Sequence, residues 1–111
     1  MLLLKQIKEK PFEFQGICRN HGVKKLYAFG SGVEGRFDPL KSDFDFLVEM
    51  IPEDPLEKGD LLISLWSALE SFFNRKIDLM TPESLKNPWL KESIQKTRVI
   101  IYDGEDQKVV V

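Results

Sequence analysis

Two aspartates set one residue apart within an apolar stretch, Ser42-Asp43-Phe44-Asp45-Phe46-Leu47-Val48, constrain this chain more than anything else in it. Side chains alternate along a strand, so an extended Asp43-x-Asp45 puts both carboxylates on one face while Phe44, Phe46 and Val48 point to the other. Such a strand buries one side and offers the other to a hard divalent cation. Magnesium takes one or two protein carboxylates together with phosphate oxygens from its substrate, which points to a nucleoside triphosphate site. A second stretch, Leu26-Tyr27-Ala28-Phe29-Gly30-Ser31, supplies the other half: an apolar strand running into a glycine turn. Gly30 has no Cβ and lets backbone approach a phosphate closely, and Ser31 adds a hydroxyl and an amide.

The remaining sequence reads as scaffold. Leu3, Leu4 and Ile7 fall at helical spacing, and Pro11 then interrupts. Proline is tolerated in the first turn of a following helix whose apolar face carries Phe14, Ile17, Cys18 and His21, with Gly22 placed just past its end. Strands are expected over 23–29, 43–50, 76–80 and 99–102, and Gly32, Gly35 and Pro39 mark a short helical turn and loop between the first two. Asp54-Pro55-Leu56-Glu57 reads as a capping box opening the main core helix, which carries Leu62, Trp66, Leu69 and Phe73 flanked by Leu61, Leu65 and Phe72. Thr81-Pro82 is expected to cap a further helix, broken near Asn87-Pro88. The tail 107–111 has no evident place. Alternating helices and strands in a chain of this length predict a single small α/β (α+β) domain over 1–111, with a mixed sheet backed by helices on one face.

Composition narrows the function classes. With 42% hydrophobic and 31% charged residues in 111, the chain has enough apolar surface for one core, and no apolar run approaches the roughly 20 residues that span a bilayer. A net charge of -2 argues against a general nucleic-acid binder. One cysteine, Cys18, cannot form an intrachain disulfide and fits a cytoplasmic protein.

Gly30-Ser31, then Ser42-Asp43-Phe44-Asp45, then Lys76-Ile77-Asp78-Leu79, taken in that order, resemble the polymerase-β-like nucleotidyltransferases, and more narrowly the minimal nucleotidyltransferases. The resemblance runs roughly from Gly22 to Asp103. It implies that Asp43, Asp45 and Asp78 bind two Mg²⁺ ions and carry the chemistry, and that Gly30, Ser31, Arg36 and Ser42 hold the triphosphate of ATP. It also implies a HEPN-domain partner, with AMP transferred to a tyrosine of that toxin and this chain as its antitoxin, in a homo- or hetero-oligomer. No residues are left over for an acceptor-binding domain, so the acceptor is expected on another chain. One departure stands out: Glu34 occupies a place where the family pattern commonly has a base, which weakens triphosphate binding unless Arg36 replaces it or Glu34 points to solvent. A binding module that masks its partner sterically, and a small-molecule transferase of the aminoglycoside type, are the alternative readings.

Each of these residues also has a plainer role open to it. The aspartates could be solvated strand ends, and Gly30-Ser31 an ordinary turn. His21 reads as a helix-end residue, Cys18 as buried filler, and Lys24, Lys25 and Lys41 as solvated cations. Trp66, Phe72 and Phe73 are expected in the core, and Trp89 and Tyr102 at a partner surface.

Overall fold

The computed structural model describes residues 2–30, 33, 43–106 and 108–110. Helices α1 (Leu2–Glu9) and α2 (Pro11–Asn20) lead into strand β1 (Val23–Phe29). Strand β2 (Phe44–Met50), helix α3 (Pro55–Phe73) and strand β3 (Ile77–Met80) follow, then a 3₁₀ turn (Pro82–Ser84), helix α4 (Pro88–Thr97), and strands β4 (Val99–Asp103) and β5 (Lys108–Val109). The strands lie in the order β3-β2-β1-β4-β5. Only β2 and β3 are parallel among these pairings, because α3 carries the chain from the end of one strand back to the start of the other.

Local chemistry sets the boundaries. Asp54 is the N-cap of α3, accepting a hydrogen bond from the Glu57 amide at 3.0 Å, with Pro55 in the first turn. The helix runs through Gly59 and ends where Asn74 adopts a left-handed conformation, φ 50°. Gly22, φ +67°, turns the chain from α2 into β1, and the Ile51 amide donates to its carbonyl at 2.8 Å. The segment after Thr81 is broken near Asn87-Pro88 as expected, but its first part is shorter than a helix. It is one 3₁₀ turn, and α4 starts afresh under its own cap, Asn87, whose side chain accepts from the Trp89 and Leu90 amides.

The period-two pattern of β2 divides the molecule. Phe44, Phe46 and Val48 pack into the main core with Leu26 and Ala28 of β1, Leu3 and Ile7 of α1, Phe14 and Cys18 of α2, and Leu65, Leu69 and Phe73 of α3. Phe73 is its centre: its ring stacks on Phe46 at 5.5 Å between centroids and meets Phe44 edge-on at 5.2 Å. Burying each such phenylalanine contributes about 2–3 kcal/mol. The opposite face of the sheet carries a smaller cluster, Tyr27, Phe29 and Leu47, closed by Ile94 of α4.

Three expectations about side chains and the tail change. Trp66 borders the core instead of filling it, 39% exposed, because its indole Nε1 donates to the Ile77 carbonyl at 2.9 Å and fastens α3 to the edge strand β3. Tyr102, expected at a surface, is 1% exposed, since β5 lies beside it and pairs Val109 with it. The same pairing gives a place to the tail. Trp89 is exposed at 81%, as expected of it.

Candidate active site

Three strand ends meet at one edge of the open sheet face. Antiparallel pairing of β1 and β2 sets Phe29 opposite Asp45, and parallel pairing of β2 and β3 sets Asp45 opposite Asp78. Phe44 pairs with Ile77 and Phe46 with Leu79, all turned toward the main core. Both carboxylates therefore lie on the other face, side by side on neighbouring strands.

Gly30 follows Phe29 directly and has φ +74°. A Cβ built there would collide with Asp45 Oδ2 and lie 3.3 Å from its Cγ. Glycine is thus required twice over at this turn, once by backbone angle and once by the carboxylate beneath it. The end of β1 and the start of β2 are fitted to each other at this turn.

The electrostatics are those of crowded like charges. Partial burial raises the Asp45 carboxyl from its usual range to about 6, and the Asp78 carboxylate adds to the effect by charge and by hydrogen bonding. The charge of Asp43 contributes the smallest share. Among the described residues no group of three or more His, Cys, Asp or Glu side chains is gathered closely enough to hold a metal ion alone. Two carboxylates completed by phosphate oxygens are nonetheless the donor set that magnesium takes, and a cation would offset the Asp78 charge that adds to the effect of burial on Asp45. The site fits such an ion.

Of the residues singled out in the sequence, Asp45, Asp78 and Gly30 are brought together, and Asp43 acts on Asp45 through its charge. Ser31, Arg36 and Ser42, with Glu34 and Lys41, lie outside the described residues, as does the short helical turn expected there apart from Val33, which is helical. His21 caps α2: its Nδ1 lies 2.7 Å from the Ile17 carbonyl oxygen and its Nε2 2.9 Å from Ser64 Oγ, so it has a structural role. Cys18 is fully buried, and burial pushes its thiol far up.

A second group on this face carries no signal in the sequence. Burial and the neighbouring Glu49 carboxylate raise the Tyr27 phenol, while Arg98 and Lys25 pull it the other way. The Arg98 guanidinium stands 4.2 Å from the centroid of the Tyr27 ring. No local motif marks Arg98; strand pairing brings it to this face of the sheet.

A family model for the nucleotidyltransferase domain matches residues 14–101. A relative in Methanocaldococcus jannaschii, named as a candidate protein adenylyltransferase, is 30% identical over 102 residues, which is 91% of this chain and all of that one. In three dimensions the chain resembles a solved structure described as a candidate minimal nucleotidyltransferase, with a TM-score of 0.62 and 23% identity over 86% of this chain and 93% of the other. It also resembles a chain in the structure of a tri-AMPylated Shewanella oneidensis HEPN toxin in complex with its MNT antitoxin, with a TM-score of 0.52 and 20% identity over 96% and 76%. These last two likenesses concern the fold. Among the described residues no helix is long and apolar enough to cross a membrane. By the family model and by the full-length match to its relatives, this chain belongs to the nucleotidyltransferase domain family.

Proposed function

We propose that this chain acts as one domain over residues 1–111 and transfers AMP from ATP to a tyrosine hydroxyl of a HEPN-domain toxin, serving as its antitoxin. The observation that carries the reading is the parallel pairing of Asp45 with Asp78 beside a turn that only glycine fits. A relative named for protein adenylylation and a structural neighbour in complex with an AMPylated HEPN toxin supply the acceptor class.

In this scheme Asp43 and Asp45 hold the nucleotide-bound magnesium, and Asp78 joins them for a second ion. Magnesium, when bound, lowers the pKa of the attacking hydroxyl and offsets charge on the phosphates. Gly30 leaves the phosphate path open, and the Ser31 amide and hydroxyl, with Ser42 and Arg36, donate hydrogen bonds to the triphosphate. The acceptor oxygen forms a bond to the α-phosphorus, the bond to the bridging oxygen of the β-phosphate breaks, pyrophosphate leaves, and the hydroxyl proton passes to solvent.

The test is incubation with α-labelled ATP, magnesium and the HEPN partner. Label should appear on the partner, and Asp43→Asn, Asp45→Asn or Asp78→Asn should each cut the rate by at least about a hundredfold. Labelling that survives these changes refutes the assignment. Glu34 favours a second reading, steric masking without transfer; it prevails if the triple asparagine variant folds, transfers nothing and still neutralises the toxin.

A further inference from the structure

Strand pairing lines up one level of the open sheet face. Asp78 on β3, Asp45 on β2 and Phe29 on β1 are successive cross-strand neighbours. The last pair between β1 and β4 is Ala28 with Val99, so one antiparallel step further sets Arg98 opposite Phe29. Arg98 closes α4 in an extended conformation, φ -63° and ψ 144°, so the alternation of β4 carries back to it and turns its side chain to the face that holds Asp45. The level therefore reads Asp78, Asp45, Phe29, Arg98. With strands about 4.8 Å apart, the Arg98 backbone is about 10 Å from that of Asp45. Gly30, the first residue of the turn, follows Phe29 and so lies between the acids and the arginine.

The state of Arg98 is itself unusual. It is half-buried, with its guanidinium against the Tyr27 ring, and among the described residues its five N–H donors meet no hydrogen-bond acceptor. A ring face anchors and orients a guanidinium without using its in-plane donors. What remains is a planar fork, already placed, on the sheet face that carries the acids. Its geometry matches a phosphate oxygen pair.

We propose that Arg98 binds the outgoing end of the nucleotide, the β- and γ-phosphates that leave as pyrophosphate. With the α-phosphate at Asp45 and Asp78 and the chain of phosphates passing the Gly30 turn, the triphosphate runs along the row toward β4. Arg98 meets it there and opposes the negative charge that builds on the leaving group. Tyr27 is a positioning residue, supplying the platform that holds the guanidinium level. This assignment rests on the proposed function, since it takes the acids as the α-phosphate end.

The experiment compares Arg98→Met, whose thioether stem still covers the Tyr27 ring, with Arg98→Lys, each checked for an unchanged circular dichroism spectrum and melting point. Calorimetric binding of magnesium–ATP and of AMP is measured for both variants, for the parent and for Asp45→Asn. Arg98→Met should weaken ATP binding at least about tenfold and leave AMP unchanged, with Arg98→Lys between. Inorganic pyrophosphate should lose affinity in parallel with ATP. Equal affinities of ATP for the parent and Arg98→Met, or equal losses for ATP and AMP, overturn the assignment. If Asp45→Asn weakens magnesium–ATP binding and Arg98→Met does not, only the role of Arg98 falls. If Asp45→Asn leaves that binding intact, the proposed function falls and this assignment with it.

Discussion

Replacing Asp45 with asparagine should make the free protein more stable while removing its function. The carboxyl of Asp45 is raised from 3.8 to about 6 by partial burial and by Asp78 and Asp43. A tenfold change in proton affinity corresponds to about 1.36 kcal/mol, which puts the ceiling near ~3 kcal/mol. Asp45 is only partly buried, so solvent screening reduces the effect to about 1–2 kcal/mol. The sign follows from proton binding. The folded state holds the Asp45 proton to higher pH than the unfolded chain, so wild-type stability is greatest below about 4, falls as pH rises through about 6, and stays low above it. Asparagine has nearly the same shape, still fits beneath Gly30, and carries no charge at any pH. Differential scanning calorimetry in EDTA should therefore find the variant melting roughly 4–10 °C above the parent at pH 8 and within about 2 °C of it at pH 4. Magnesium should raise the melting temperature of the parent at pH 8 and do little for the variant. A variant that melts lower than the parent at pH 8, or that gains equally at both pH values, would refute the account of Asp45 as a carboxylate held in a repulsive site.

Gly30→Ala should cost about 1–3 kcal/mol, read as a lower urea midpoint, because the new Cβ must occupy a left-handed backbone and displace the Asp45 carboxylate. Combining it with Asp45→Ala, which removes the colliding atoms, should recover part of that loss, and a strictly additive pair would contradict the contact. Trp66→Phe should cost about 1–2 kcal/mol by leaving the Ile77 carbonyl without its donor, and amide exchange should rise first in β3, the strand that carries Asp78. A uniform rise across the sheet would show that the indole does not pin that edge.

Much of the scaffold was legible in local pattern. The alternation in 43–48 fixed which side of β2 is buried, Asp54-Pro55 marked the start of α3, and Gly22 marked the turn out of α2. These depend on neighbours in sequence, where propensity and capping act. Trp66 and Tyr102 depart from the local pattern because a helical face or a strand end says nothing about which element passes beside it. The division of 81–97 into a 3₁₀ turn and a separately capped α4 was half visible at Asn87-Pro88.

Local pattern was enough to predict that Asp43 and Asp45 flank the start of a strand with Asp45 on its unburied face, that a glycine turn precedes them, and that a later strand carries a third acid, because a period of two and a missing Cβ are properties of neighbouring residues. Folding in three dimensions was needed to bring β3 parallel to β2 in the register that matches Asp78 with Asp45, to set Asp45 under Gly30, and to carry Arg98 to the same face from the far side of β1. Those facts depend on how α3 and α4 pack their apolar sides and so return the chain to the sheet, and side-chain burial across distant segments sets that register.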